Sequence, residues 1–204
     1  MVAIVKYNAG NVRSVLFALE RLRVPAVWTD DPAQLRAADQ VIFPGVGEAS
    51  SAMRYLRQRG LAEVMTELRQ PVLGICLGLQ LFCRHSDEGD TACLGIFDAA
   101  VRQFAASACG NGASAGQPRL KVPHMGWDTV QNLKGPLFLG VPEGTYVYFV
   151  HSFYAESHPD AIADSQYGVS YSAALQRNNF YAVQFHPEKS GPAGQRILKN
   201  FLTL

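Results

Sequence analysis

A cysteine and a histidine–glutamate pair lie at the ends of two apolar segments, and together they could perform nucleophilic catalysis. Residues 71–78 read Pro-Val-Leu-Gly-Ile-Cys-Leu-Gly, which places Cys76 between two glycines. Residues 182–188 read Ala-Val-Gln-Phe-His-Pro-Glu and end in His186 and Glu188. A thiol needs a base to become a nucleophile, and the base needs a partner that holds its tautomer. The three side chains therefore supply a nucleophile, a base and an orienting carboxylate.

The glycine spacing around Cys76 predicts a nucleophile elbow, in which a strand turns sharply into a helix. Gly74 and Gly78 would let the strand and the helix approach closely, while Cys76 takes a strained conformation at the apex. A helix over residues 77–84 would then place the thiol at a helix N-terminus, where backbone dipoles favour a thiolate. Taken alone, a cysteine between apolar neighbours also fits an inert core residue.

The His-Pro-Glu tripeptide predicts a strand end that carries a paired base. On an extended strand, His186 and Glu188 would project to the same side. Pro187 has no N–H for the ladder, so strand pairing should break here. Open α/β folds place their sites at such strand ends. Alone, the tripeptide also fits an ordinary turn, but together with the elbow it favours catalysis.

Composition indicates one folded domain over residues 1–204. The chain is 48% hydrophobic and 17% charged with a net charge of +1, which argues against disorder and gives no reason to expect nucleic acid. The longest uncharged apolar stretch, residues 70–83, is too short to span a bilayer. The chain opens into residues 2–5, which read as a first strand and not as a signal peptide.

The cysteine content predicts reduced thiols in a cytoplasmic protein. Four cysteines in 204 residues, without a secretion signal, do not suggest a disulfide framework. No C-x-x-C spacing occurs, so we expect no zinc site.

The order of apolar patterns predicts an α/β fold with a mostly parallel central sheet, flanking helices and added antiparallel strands. Residues 99–130 and 145–172 are expected to supply the antiparallel strands, and residues 107–117 a flexible loop. The predicted strands of the core are 2–7, 26–29, 40–43, the segment before Cys76 and 181–185. The predicted helices are 11–23, a short one from 31, 50–57, 61–69, 77–84 and 193–204.

Five motifs resemble the class I glutamine amidotransferases and, within that family, the glutaminase subunits of imidazole glycerol phosphate synthases. They follow the family order over essentially the whole chain. The motifs are Pro44-Gly45-Val46-Gly47, Gly74-Ile75-Cys76-Leu77-Gly78-Leu79-Gln80, Pro123-His124-Met125-Gly126-Trp127, Tyr148-Phe149-Val150-His151-Ser152 and Gln184-Phe185-His186-Pro187-Glu188-Lys189-Ser190.

The resemblance implies a reaction and a role for each member of the triad. Cys76 would attack the side-chain amide of L-glutamine and form a thioester. His186 would take the thiol proton and protonate the departing ammonia, and Glu188 would orient His186.

The resemblance also implies the residues that surround the substrate, although the family often has tyrosine where this chain has Phe153. The oxyanion hole would use backbone N–H groups of Leu77 and of the loop with Val46 and Gly47. Substrate binding would involve Gly45, Gln80, Glu88, His151, Ser152 and Phe153.

The same resemblance implies a partner subunit, and it implies no cofactor and no metal. The partner would be a cyclase subunit with a (β/α)8 barrel, which forms a heterodimer with this chain and uses the ammonia in histidine biosynthesis. The residues that would face it are Asn11, His124, Met125, Trp127, Tyr148 and Lys189.

Two other functions fit parts of the pattern. A cysteine hydrolase or peptidase on a related α/β fold commonly has a histidine directly after the cysteine, where this chain has Leu77. A catalytically inactive regulatory subunit should lack one of the three triad residues, and all three are present.

Overall fold

The computed structural model describes residues 1–7, 12–105 and 120–204, which form a large mixed sheet with flanking helices and a separate two-stranded sheet. The strands are β1 (Val2–Val5), β2 (Ala26–Thr29), β3 (Gln40–Gly45), β4 (Val72–Cys76), β5 (His85–Ser86), β6 (Thr91–Ala92), β7 (Ala100–Gln103), β8 (His124–Val130), β9 (Thr145–His151), β10 (Phe153–Ala155), β11 (Ala161–Tyr167), β12 (Val169–Arg177) and β13 (Phe180–Val183). The helices are α1 (Val12–Arg21), α2 (Pro32–Ala37), α3 (Ala49–Gln58), α4 (Leu61–Glu67), α5 (Leu77–Phe82) and α6 (Gly191–Phe201). Short 3-10 helices cover Pro136–Phe138 and Pro187–Lys189.

The large sheet has a parallel half and a largely antiparallel half. Its strand order is β2-β1-β3-β4-β13-β12-β10-β7-β5-β6, with β11 paired to β12. The strands from β2 to β13 are parallel, and β12 then pairs antiparallel with β13, β10 and β11. Strands β8 and β9 form their own antiparallel pair. The predicted α/β fold, mostly parallel in its core with added antiparallel strands, is confirmed.

Two hydrophobic cores cover the two faces of the parallel half. Side chains alternate along a strand, so Ala3 and Val5 of β1 enter one core and Val2 and Ile4 the other. Helices α2 to α5 pack on the first core, and α1 and α6 on the second. Burial on both faces explains why these strands read as continuous apolar runs.

Most predicted elements are present, with shifted ends. The first strand ends at Val5 and not at residue 7, β3 continues to Gly45, and α5 ends at Phe82, two residues earlier than predicted. The short helix α2 begins as expected, because the Asp31 side chain accepts from the N–H of Ala33. The predicted loop at 107–117 lies outside the described residues.

No helix in the described part of the chain is both long and apolar enough to cross a membrane.

Candidate active site

The carboxyl ends of three neighbouring parallel strands meet at one edge of the large sheet. Strand β4 lies between β3 and β13, with Gly45 opposite Cys76 and Val183 opposite Ile75. Open α/β sheets bind ligands at this edge, because the loops there leave a crevice. The structure thus brings Cys76 beside the loop after β3 and beside the segment after β13 that leads to His186.

Cys76 occupies the predicted elbow between β4 and α5. Its backbone has φ 54° and ψ −104°, a conformation that few non-glycine residues adopt. The two glycines permit the tight crossing. A methyl group on Gly74 would lie 2.9 Å from the carbonyl carbon of Gly78, and one on Gly78 would lie 2.0 Å from the carbonyl oxygen of Phe43. The elbow geometry predicted from the sequence is therefore confirmed.

Replacement of Gly78 should cost more stability than replacement of an unhindered glycine. In Gly78→Ala the new methyl group meets a backbone oxygen that cannot rotate away, so we expect a loss of about 3 kcal/mol in the free energy of unfolding. Gly95→Ala is the matched control, because Gly95 has φ +69° but open space around it, and should lose only about 1 kcal/mol. Urea unfolding of both variants measures the difference. Equal losses would contradict the close strand–helix approach.

His186 and Glu188 form a buried pair, but not on an extended strand. Strand β13 ends at Val183, and Glu188 lies in the 3-10 helix Pro187–Lys189, which His186 precedes. Both side chains are 2% exposed, and His186 Nδ1 lies 2.8 Å from Glu188 Oε1. The predicted pairing is present, but the strand predicted over 181–185 ends at Val183, so the pair lies beyond it. Pro187 begins the 3-10 helix because its restricted φ suits the first helical position.

Ser190 and strand β9 hold the His186 backbone in place. The Ser190 hydroxyl donates to the His186 carbonyl oxygen at 2.7 Å and accepts from the N–H of Tyr148 at 2.9 Å. The N–H of His186 donates to the carbonyl oxygen of Tyr148 at 2.9 Å. The base is thereby anchored to the two-stranded sheet as well as to its own turn. Sequence reasoning assigned no role to Ser190, although it closes the last motif.

The electrostatics of the site favour a protonated His186. Burial lowers the pKa of His186, but its interactions with Cys76 and with the Glu188 carboxylate together raise this pKa well above its usual range. Its Nε2 is buried and has no hydrogen-bond partner within 1–7, 12–105 and 120–204. The nitrogen that would give and take the proton in the reaction is thus not held by another described group.

The Cys76 sulfur lies between a carbonyl acceptor and an amide donor. The thiol can donate to the Val150 carbonyl oxygen at 3.8 Å. The Gln184 side-chain nitrogen donates to Sγ at 3.7 Å. Gln184 belongs to the last sequence motif, but the motif alone predicts no role for it. Its place follows from the register of β13, which sequence alone does not supply.

A cavity of about 270 Å³ opens beside Cys76. Pro123 and Val150 also line it, and the sequence prediction included neither. The cavity is the space in which a small substrate would meet the nucleophile. The predicted residues that line it are Val46, Gly47, Leu77, Gln80, Glu88, His151, Ser152 and Phe153.

Gln80, His151 and Phe153 are linked by hydrogen bonds at the floor of this cavity. The Phe153 carbonyl oxygen accepts from Gln80 Nε2 at 3.0 Å and contacts His151 Nδ1 at 2.7 Å. Burial lowers the pKa of His151 to about 3, so its ring is neutral at physiological pH. Both contacts are made by the Phe153 backbone. They therefore do not depend on the tyrosine hydroxyl that the family often has at this position.

Glu88 reaches the cavity from the far side, where it caps α3. Its Oε2 accepts from the N–H of Ala49, the first residue of that helix, at 2.7 Å. Burial raises the pKa of Glu88, the Ala49 N–H opposes this, and Glu48 adds to it. A half-buried carboxylate that lines the same cavity as Cys76 is a fitting partner for an ammonium group, but its described contact is structural.

The loop after β3 is held at its start by a hydrogen bond, and its end at Gly47 has free space around it. The Tyr7 hydroxyl donates to the Pro44 carbonyl oxygen at 2.8 Å, and a methyl group on Gly45 would lie 1.9 Å from that hydroxyl oxygen. Gly47 has φ +131°, which other residues rarely adopt, and space around its Cα. Tyr7 was missed because it follows the first strand without any motif around it.

The residues predicted to face a partner differ in exposure. Met125 and Trp127 of β8 are 63% and 56% exposed, and Lys189 Nζ lies 5.7 Å from the centre of the Tyr148 ring. Tyr146, which sequence reasoning missed, extends this exposed face. Asn11 lies outside the described residues.

The His124 side chain, predicted to face the partner, is buried in the described structure. His124 is buried and stacks on Tyr167 at a centroid distance of 3.8 Å. Side chains alternate between the two faces of β8, so His124 points inward where the next residue, Met125, points outward.

The sequence matches the family described as glutamine amidotransferase class-I over residues 5–204. It is 55% identical over 206 residues to "Imidazole glycerol phosphate synthase subunit HisH" of Bacteroides fragilis, covering 100% of this chain and 99% of that protein.

Solved structures share the fold at low identity. The crystal structure of a glutamine amidotransferase matches with a TM-score of 0.73 and 18% identity, covering 100% of this chain and 98% of the other. A glutamine amidotransferase of Thermotoga maritima matches with a TM-score of 0.61 and 17% identity, covering 99% of this chain and 82% of the other. At these identities the likeness concerns the fold alone.

Proposed function

Because the chain belongs to the class I glutamine amidotransferases, and within them to the HisH subunits of imidazole glycerol phosphate synthase, we propose that it hydrolyses L-glutamine with Cys76, His186 and Glu188. The observation that carries this proposal is the strained Cys76 at an elbow beside a buried His186–Glu188 pair at 2.8 Å. The chain would act as one domain over residues 1–204.

In the first step the Cys76 sulfur attacks the amide carbon of glutamine. The carbonyl π bond opens to an oxyanion, which the N–H of Leu77 and an N–H of the loop with Val46 and Gly47 stabilise. The tetrahedral intermediate then expels the amide nitrogen, which takes a proton from His186 and leaves as ammonia. A thioester between the glutamyl group and Cys76 remains.

Water completes the cycle by attacking the thioester carbon. His186, now neutral, accepts a proton from this water, and the carbon–sulfur bond breaks to release glutamate and the thiolate. Glu188 holds the ring throughout, because its carboxylate accepts from Nδ1–H and so leaves Nε2 for the reaction. Gln80, Glu88, Gly45 and the segment His151 to Phe153 would hold the rest of the substrate.

Ammonia would pass to a cyclase subunit with a (β/α)8 barrel, docked on the exposed face of Met125, Trp127, Tyr148 and Lys189. Free ammonia is largely protonated at neutral pH and is then no longer nucleophilic, so direct transfer is favoured. The geometry supports this placement, because the Tyr148 carbonyl accepts from the His186 N–H and Val150 lines the cavity. Both residues belong to β9, one strand of the exposed sheet.

We expect the isolated chain to turn glutamine over slowly and the liganded cyclase to accelerate it. The Gly45-Val46-Gly47 loop could present a carbonyl at rest and an N–H when active, and Gly47 has the backbone freedom for this change. Since one oxyanion donor is typically worth about 10² to 10³ in turnover, the acceleration should reach at least about 10². Glutaminase kinetics of the chain alone, with cyclase, and with cyclase plus its phosphoribulosyl aminoimidazole carboxamide nucleotide measure this.

Two tryptophans provide a matched test of the docking surface. Trp127→Ala should lower the activation at a subsaturating concentration of cyclase. Trp28→Ala, which removes the other exposed tryptophan on edge strand β2, should leave it unchanged. Equal effects of Trp127→Ala and Trp28→Ala would refute the docking surface. The loop mechanism would be refuted if turnover were equal for the chain alone, with cyclase, and with cyclase plus its nucleotide.

A further inference from the structure

We propose that Gln184 is a positioning residue for the nucleophile, whose side-chain amide donates to the Cys76 sulfur and stabilises its thiolate form. The inference rests on the proposed function, because it concerns the nucleophile of that reaction. The relevant contact is the 3.7 Å approach of Gln184 Nε2 to Cys76 Sγ.

The strand register places Gln184 beside the nucleophile. Val183 is the partner of Ile75 in the parallel pair of β13 and β4. The residues that follow them, Gln184 and Cys76, are therefore neighbours. Gln184 is fully buried, and its backbone N–H donates to the Ala173 carbonyl at 2.8 Å. A buried amide needs hydrogen-bond partners, and here the amide N–H donates to the Cys76 sulfur, which accepts.

A chain of hydrogen bonds sets the direction of the Gln184 amide. The Phe153 carbonyl can only accept, so Gln80 must turn its nitrogen toward it, at 3.0 Å. The same nitrogen donates to Gln184 Oε1 at 3.3 Å. With its oxygen committed in this way, Gln184 presents its nitrogen to Cys76.

The other neighbour of the sulfur cannot do the same work. The Val150 carbonyl oxygen, 3.8 Å from Sγ, accepts from a thiol but repels a thiolate. His186 Nε2 has no hydrogen-bond partner in the described residues, and it could donate to the sulfur only while it holds the proton that it gives to the departing ammonia. The Gln184 amide does not titrate. It therefore remains a donor in every step, including the release of the thiolate from the thioester.

The test follows the reactivity of Cys76 in the isolated, full-length chain. Gln184→Met keeps a similar volume and removes the donor. We expect iodoacetamide to alkylate Cys76 about tenfold more slowly at neutral pH, because one hydrogen bond to a charged atom is lost. The pH midpoint of alkylation should rise by about one unit. Mass spectrometry of the peptide with Cys76 separates its signal from those of the other three cysteines.

Two further variants make the result specific. Gln184→Glu keeps the shape but places an acceptor beside the sulfur, so it should move the pH midpoint upward at least as far as Gln184→Met. It also serves if the methionine variant fails to fold, which circular dichroism and urea unfolding will show. Gln58→Met, on the exposed side of α3, should behave as wild type. In the complex with cyclase, the Gln184 variants should have a lower kcat for glutamine hydrolysis, while their KM for glutamine changes little.

A folded Gln184 variant with the wild-type pH midpoint would overturn the inference, because a residue that only packs would not move the titration of the thiol. The proposed function fails separately. If wild-type chain with cyclase does not hydrolyse glutamine, that function is wrong, whatever the alkylation of Cys76 shows.

Discussion

Cys76→Ala is expected to abolish glutamine hydrolysis while leaving synthesis from added ammonia by the assembled synthase nearly intact. No other described side chain stands at the apex of the elbow, so no group can form the thioester. The chemistry that consumes ammonia would lie on the cyclase subunit, which the substitution does not touch. Glutamate release and ammonium-dependent product formation, measured on the same complex, give the two halves of the result.

Cys83→Ala is the matched control for this experiment. Cys83 is also buried and lies at the end of α5, seven residues after the nucleophile, with its thiol donating to the Leu79 carbonyl. It lies outside the cavity lining and should keep glutaminase turnover. Glutaminase activity in purified Cys76→Ala, or its loss in both variants, would refute the assignment of the nucleophile.

The elbow could be predicted from sequence because a steric requirement determines its residues. Gly78 must lack a side chain where the helix crosses the Phe43 carbonyl, and Gly74 must lack one where it meets Gly78. Such positions are read directly from glycine spacing. The alternation of strands and helices was readable for a similar reason, since both faces of the parallel strands are buried and apolar.

The backbone around His186 could not be predicted from the same kind of pattern. An i, i+2 pair lies on one side of a strand, but a 3-10 helix after His186 also brings Glu188 to its Nδ1. The sequence carries both possibilities, and the end of β13 at Val183 decides between them. That end depends on pairing with β4 and β12, which is a tertiary property.

Tyr7 and Gln184 were missed because their roles arise from contacts between strands far apart in sequence. Tyr7 reaches the Pro44 carbonyl across 37 positions, and Gln184 reaches Cys76 across 108. His124 illustrates the opposite error. The resemblance implied a residue that faces the partner, but the pleat of β8 turns its ring inward against Tyr167.

Glu188→Gln should reduce glutaminase turnover by about 10- to 10⁴-fold, less than His186→Ala, which removes the base itself. The glutamine oxygen can still accept from Nδ1–H, so the ring can keep its tautomer. What is lost is the carboxylate charge, which together with Cys76 raises the pKa of His186 against the effect of burial. The imidazolium that must protonate ammonia is therefore less stable in the variant.

The pH profile separates this electrostatic role from simple packing. Because the carboxylate raises the pKa of His186, its removal lowers that pKa, and the alkaline limb of the kcat/KM profile should move to lower pH. Glu67→Gln, an exposed position paired with Arg36, is the control and should leave both turnover and profile unchanged. Wild-type turnover in Glu188→Gln would mean that Glu188 is structural. A lower turnover with an unshifted alkaline limb would mean that Glu188 holds the ring in place without stabilising its charge.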